Sequence, residues 1–227
     1  MDKKKYIDIL TAQAAENKRP MEMALSDFMD FLIGMFDVKA FKGDMNGYVA
    51  HVQEYIDKSA QYTELALQWL SDISDAMDRG NWLDAFGELY EEMYLSRGKA
   101  SSHGQFFTPQ SLSNMMAQIA ELGNRTSGKV NDCACGSGRL LIAHYMDKSR
   151  EDHSAGRRFE YVAQDVDPIA CKMCALNMMA HGMYGTVICQ NTLLLDTPSV
   201  VYHINEVRYP IPSPYYSIRV THPKTID

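Results

Sequence analysis

None of the chain's 227 residues falls in an apolar run long enough to cross a bilayer. The first residues, Met1-Asp2-Lys3-Lys4-Lys5, lead into Tyr6-Ile7-Asp8 instead of the apolar stretch of a secretion signal, so the expected location is cytoplasmic. Cysteine is scarce in the first half: Cys133, Cys135, Cys171, Cys174 and Cys189 all lie beyond the midpoint. An odd count without a secretion signal reads as reduced thiols and argues against a disulfide framework. Positive charge is also short. The net charge is −7, and the dense basic clusters are confined to Lys3 to Lys5 and Arg157-Arg158. Affinity for duplex DNA comes largely from Lys and Arg displacing counterions from phosphate, so tight unaided DNA binding is not expected and a partner would have to supply it. Internal repeats and low-complexity tracts are absent as well. What is present is enough apolar sequence, 46% of residues, to bury one large domain or two small ones.

The first half has helical periodicity almost throughout. Leu25, Phe28, Met29, Leu32, Met35 and Phe36 recur at spacings of three and four, and Pro20 suits the first turn of that helix. After a break at residues 43–47, Tyr48, Val52, Tyr55 and Ile56 run on into Tyr62, Leu65, Trp69, Ile73 and Met77. This predicts one long amphipathic stretch ending near Arg79-Gly80-Asn81. Trp82, Phe86, Leu89, Tyr90 and Met93 form a further stripe. These stripes read as core and the acidic residues between them as solvated faces, so residues 1–98 are expected to be a helical bundle domain.

From Gly128 the pattern changes. Residues 129–133 predict a strand, 139–146 a helix and 159–164 a second strand. A helix then runs from Pro168 through Ala180, closed by His181-Gly182, and 186–189 predict a third strand. This β-α-β-α-β order is that of a parallel α/β sheet, placing an α/β domain in residues 99–227. Between the first strand and its helix lies Asp132-Cys133-Ala134-Cys135-Gly136-Ser137-Gly138. Its glycines permit tight turns and close approach of a ligand, and the helix that follows offers unpaired N–H groups. Asp165 ends the second strand, where doubly wound folds use a carboxylate to accept both ribose hydroxyls of a nucleoside cofactor; Asp167, beside Pro168, is placed to cap the next helix. The loop lacks the third glycine of a dinucleotide-binding oxidoreductase. Cys171 and Cys174, with Cys133, Cys135, His153 and His181, offer zinc-type ligands, but they fall in a helix and in the loop, so buried thiols and no metal are expected.

Upstream stands Gly104-Gln105-Phe106-Phe107-Thr108-Pro109. With the glycine loop it resembles the cofactor signature of S-adenosylmethionine-dependent DNA adenine-N6 methyltransferases, especially the modification subunits of type I restriction systems. The element Gly-Gln-Phe-Phe-Thr-Pro matches residue for residue, and the segment from Asp84 to Glu91 resembles the one leading into it. The family's Asp-Pro-Ala-Cys-Gly-Thr-Gly-Gly is represented by residues 132–139, with Arg139 in place of the last glycine. Its Gly-Asp-Thr-Leu is represented by Gln190-Asn191-Thr192-Leu193. The resemblance covers about residues 84–193. It implies a helical N-terminal domain followed by an abbreviated, Rossmann-like, doubly wound methyltransferase sheet that binds S-adenosylmethionine. Phe106, Phe107 and Thr108 would close over the methionine part, and Asp132, Ala134, Gly136 and Gly138 would hold the amino-acid moiety. Asp165 and Val166 would lie at the nucleoside, and the Asn191 carbonyl would accept from the adenine amine. The reaction implied is methyl transfer to adenine in DNA, with a specificity or restriction subunit as partner.

The family's Asn-Pro-Pro-aromatic segment, which orients the target amine, is absent. Its nearest imitation is Ser213-Pro214-Tyr215-Tyr216, making Ser213, Pro214 and Tyr216 the candidate catalytic residues. The alternative reading is a non-catalytic methylase-like regulatory or assembly subunit. In this fold the first strand is central, yet only thirty-odd residues follow Leu193. Residues 200–204 or 215–220 could supply one more strand. The tail, or a second chain in a homo-oligomer, is expected to cover the first strand's open edge.

Overall fold

Leu25, Phe28, Met29 and Leu32 are wholly buried along one face of helix α2 (Met21–Met35), as their spacing requires. The computed structural model describes residues 1–41, 44–93, 107–120, 125–150, 152, 154–194, 196–206 and 216–223. Around the α2 stripe gather α1 (Lys3–Glu16), α3 (Met45–Lys58), α4 (Ala60–Asp78) and α5 (Ala85–Tyr90). Phe86 of α5 meets Phe28 and Trp69, with ring centroids 6.1 and 5.2 Å apart.

Two local expectations are corrected. The long amphipathic run is two helices, because Ser59 is extended at φ −156° and its hydroxyl accepts the Tyr62 N–H at 3.2 Å, capping α4 where α3 stops. Pro20 stands at the cap position just ahead of α2, not within its first turn.

The sheet holds β1 (Gly128–Asp132), β2 (Phe159–Asp165), β3 (Gly185–Cys189), β4 (Val200–Ile204) and β5 (Ile218–Thr221), side by side in chain order. The first three are parallel, joined by α7 (Arg139–Ser149) and α8 (Pro168–Ala180); β4 and β5 add antiparallel beyond β3. Phe159, Tyr161 and Ala163, then Val187 and Cys189, then Tyr202 and Ile204 bury one face, with α8 against β2, β3 and β4. This is an abbreviated Rossmann-like α/β sheet. Helix α2 also packs on α8, and one apolar cluster runs through both halves of the chain. The expected boundary at 98/99 lies outside the described residues.

Residues 200–204 are a strand as expected and the strand expected over 215–220 is found at 218–221, but neither covers β1. The short connection after β3 returns the chain beside β3, and the Ile218 N–H donates to Phe36 O at 2.9 Å, tying β5 to the end of α2. The outer edge of β1 therefore has no strand partner among the described residues. Helix α6 (Gln110–Ala120) turns Ser113 and Ala117 inward and rests on α7. Its Leu112, Met115, Met116 and Ile119, spaced as one helix face, remain 40%, 50%, 43% and 57% exposed.

Candidate cofactor site

The parallel strands β1 and β2 both end in a carboxylate, Asp132 and Asp165, and the glycine loop is folded onto the second. Cys135 N–H donates to Gln164 O at 2.9 Å, Gly136 N–H to Asp165 Oδ2 at 2.9 Å, and Asp167 N–H to Asp165 Oδ1 at 3.0 Å. Asp165 thus faces the loop, and each of its oxygens keeps a lone pair. Gly136 and Gly138 have φ of 53° and 91°, in the region that disfavours side chains. A Cβ on Gly138 would sit 2.9 Å from Cys174 Sγ, and one on Gly136 would sit 3.2 Å from the Phe107 ring. Asp167 caps α8 through the Ile169 N–H at 2.8 Å, as expected from its place before Pro168.

Asp132 accepts the Ala134 N–H on Oδ1 at 3.1 Å, while its buried Oδ2 has no hydrogen-bond partner. Burial pushes this carboxyl above its usual range; the Ala134 hydrogen bond opposes that, and the nearby Asp165 charge adds to it. A buried, half-satisfied carboxylate calls for a cationic donor. Val166, Leu193 and Leu194 are 67%, 92% and 73% exposed, so three apolar side chains stand unburied on the segments that follow β2 and β3. An ammonium group, vicinal hydroxyls and a flat apolar base are combined in S-adenosylmethionine, and these residues fit it.

Other residues singled out from the sequence fare differently. Asn191 Oδ1 already accepts the Leu193 and Leu194 N–H groups at 3.0 and 3.2 Å; an asparagine closing its own turn has spent the carbonyl expected to meet adenine. Phe107 sits against Gly136, and a face of its ring lies under a guanidinium, Arg139 Cζ being 5.2 Å from the centroid. The Thr108 carbonyl accepts from Arg139 Nη1 at 3.3 Å. Phe106, Ser213 and Pro214 lie outside the described residues. Tyr216 just precedes β5, whose Ile218 is level with Ile204 and, through it, with Gly185 at the start of β3. That is the opposite end of the sheet from Asp132 and Asp165, so Tyr216 is not brought to the glycine loop.

Sequence reasoning missed Asp84 as the hub of this end. It is 2% exposed and caps α5 through the Gly87 N–H at 2.8 Å. It also accepts from Ser137 Oγ at 2.5 Å, Arg139 Nε at 2.5 Å and Asn177 Nδ2 at 2.7 Å. Arg139 reaches Glu91 as well, at 3.0 Å. One buried carboxylate from the helical half therefore fixes the glycine loop, the first residue of α7 and a residue of α8. The available signal was Arg139 standing where the resembling loop has glycine. Beneath the loop, the Cys135 thiol donates to Gly136 O and the Cys171 thiol to Asp165 O, each at 3.5 Å; the neighbouring Cys174 and burial raise the first thiol, and burial first, then the neighbouring Cys189, raises the second. Among the described residues, no three His, Cys, Asp or Glu side chains group as metal ligands do.

The sequence pattern of the family described as N-6 DNA Methylase matches residues 81–226, well over half of the chain, from just before Asp84 to beyond the last strand. The type I restriction enzyme MpnII methylase subunit of Mycoplasma pneumoniae is 36% identical over 106 residues, covering 45% of this chain and 19% of that protein. The MjaIX methylase subunit of Methanocaldococcus jannaschii is 27% identical over 106 residues, covering 46% and 18%. The aligned stretch thus spans under a fifth of either relative. Among solved structures, a type I restriction-modification methyltransferase subunit of Streptococcus thermophilus aligns at a TM-score of 0.37 and 17% identity, over 88% of this chain and 56% of that one. With the glycine loop, the paired strand-tip carboxylates and the matched span in one place, the chain belongs to the N-6 DNA methylase family.

Proposed function

We propose that the chain binds S-adenosylmethionine at the tips of β1 and β2 and is the cofactor-holding part of an enzyme that methylates adenine N6 in DNA. The observation that carries the proposal is Asp132 Oδ2, a buried carboxylate oxygen without a partner beside a loop whose glycines admit a ligand. When bound, the cofactor supplies a methyl group on a sulfonium. Asp132 would hold its ammonium, with Ala134, Gly136 and Gly138 lining the amino-acid part. The remaining lone pairs of Asp165 would accept the ribose hydroxyls, and Val166 and Leu193 would cover the base. Phe107 and Thr108, tethered by Arg139, would wall the methionine end.

Orientation of the target amine needs polar acceptors at the same end of the sheet. Tyr216 is at the other end, so we infer that groups beyond the described residues complete the acceptor side. The edge of β1, which has no strand partner among the described residues, and the exposed apolar face of α6 support association with a partner, since unpaired strand edges and apolar helix faces are both surfaces made for pairing. A net charge of −7 supports the same division of labour, with a specificity or restriction subunit, or a further copy, carrying the DNA affinity.

The test is calorimetric titration with S-adenosylmethionine, followed by transfer of labelled methyl to DNA with and without the partner subunit. Saturable binding that Asp165→Ala abolishes, and incorporation only when the partner is present, is the expected pair of results. A folded chain, by circular dichroism, that takes up no cofactor would end the proposal.

A further inference from the structure

We propose that Arg139, acting through the ring of Phe107, sets how the site discriminates between the sulfonium cofactor and the neutral thioether that remains after methyl transfer, a role that rests on the strand-tip reading above. Arg139 stands where the resembling loop has glycine, so the role belongs to this chain's own sequence.

Phe107 is held from three sides. An added Cβ on Gly136 would come within 3.2 Å of ring atoms Cδ1 and Cε1, so that edge of the ring faces the glycine loop. Tyr90 meets the ring in a T-shaped contact, with centroids 5.7 Å apart and planes at 85°, and Arg139 Cζ lies 5.2 Å from its centroid. The ring is nevertheless only partly buried, which leaves part of its surface to a ligand.

The guanidinium is fixed as firmly. Nε donates to Asp84 at 2.5 Å, and Nη1 donates to Glu91 at 3.0 Å and to the Thr108 carbonyl at 3.3 Å. Arginine does not shed its proton in proteins, so the charge over the ring is permanent. An aromatic face attracts cations through its quadrupole. A guanidinium already on the ring draws that electron density to itself and repels a second cation directly. A sulfonium meets both effects, whereas a thioether of nearly the same shape meets neither. Arg139 therefore lowers the preference for the charged cofactor over its product. Asp84 and Glu91 offset part of this, and Glu91, 34% exposed, is the counter-charge that can be changed without opening the interior.

The experiment is calorimetric titration of the whole chain with S-adenosylmethionine and with S-adenosylhomocysteine as separate arms, read as the ratio of the two dissociation constants. A mere loss of packing weakens both ligands together and cancels in that ratio. Arg139→Gln, which keeps an amide donor for Asp84 without the charge, should raise the preference for S-adenosylmethionine about three- to tenfold. Arg139→Lys, which keeps the charge, should stay within about twofold of the parent. Glu91→Gln leaves the guanidinium less compensated and should lower the preference, the same effect with opposite sign in a chain whose buried contacts are untouched. In Phe107→Leu, adding Arg139→Gln should move the ratio by less than about twofold, because the ring that carries the effect is gone. Circular dichroism checks the fold of each variant. An unchanged ratio in folded Arg139→Gln, or in Glu91→Gln should the first not fold, would overturn the proposal, as would a full shift that persists in the Phe107→Leu background. A chain that binds neither ligand removes the strand-tip reading and this role together; a chain that binds both with a ratio indifferent to Arg139 removes this role alone.

Discussion

Replacing Asp132 by asparagine separates what the carboxylate does to the fold from what it does for the ligand. Its Oδ1 accepts a backbone N–H at 3.1 Å, which an asparagine carbonyl can also do, while Oδ2 is buried and unpartnered. Burial raises the folded-state pKa above the unfolded one, so the native state holds the proton more tightly than the unfolded chain does. The stability this residue contributes is then present below its unfolded pKa and lost as pH rises through the folded value. At neutral pH the ionised group works against the empty protein. Asp132→Asn should leave the thermal midpoint unchanged or raised. Binding should move the other way, because the charge-assisted contact to a ligand ammonium contributes about 1.5–3 kcal/mol, a Kd roughly ten- to a hundredfold weaker without it. As pH falls and Asp132 is protonated, the parent's affinity should approach the variant's. Scanning calorimetry and isothermal titration with S-adenosylmethionine on the same samples read both responses. A variant that is less stable yet binds like the parent would refute the reasoning.

Asp84→Ala takes from the buried Arg139 guanidinium one of its two carboxylates, leaving Glu91, and removes the acceptor of Ser137 and Asn177; the expected loss is about 3–5 kcal/mol in urea unfolding, partly recovered in Asp84→Ala/Arg139→Met, and a loss under about 1 kcal/mol would contradict the hub role. Gly138→Ala meets both a φ of 91° and the Cys174 sulfur at 2.9 Å, so a loss of about 1–3 kcal/mol is expected, of which Cys174→Ala should restore only the steric part. His181 is buried neutral with its pKa down to about 4, whereas the unfolded chain takes up this proton from about pH 6.5; its contribution is full above 6.5 and lost as pH falls toward 4, by up to roughly 3 kcal/mol. His181→Asn should flatten that part of the pH–stability profile, and an unchanged profile would count against it.

The sheet was legible because β2, α8 and β3 each carry strong local signals: alternating burial, Asp167-Pro168 at a helix start and His181-Gly182 at its end. The glycine loop was legible for the same reason, since positive φ leaves glycine few substitutes. The division at Ser59 was hidden, because one serine inside a continuous apolar stripe leaves the helical period intact. Asp84 was hidden too. Its partners at 137, 139 and 177 are distant in sequence, and no periodicity marks a carboxylate whose role is to accept from three elements at once. Asn191 and Tyr216 went astray where a short-range choice decides: the first satisfies its own turn, and the second follows a chain that pairs on the far side of β3.

The border of β1 that lacks a strand partner among the described residues has a thermodynamic corollary. The same five-residue strand offers an open ladder to another polypeptide and ends in the aspartate proposed to grip the ligand. Anything that zips onto that ladder would stiffen the strand's last residue, and whatever occupies the loop would order the ladder in return. Assembly and occupancy would then be reciprocal, each tightening the other by the same factor.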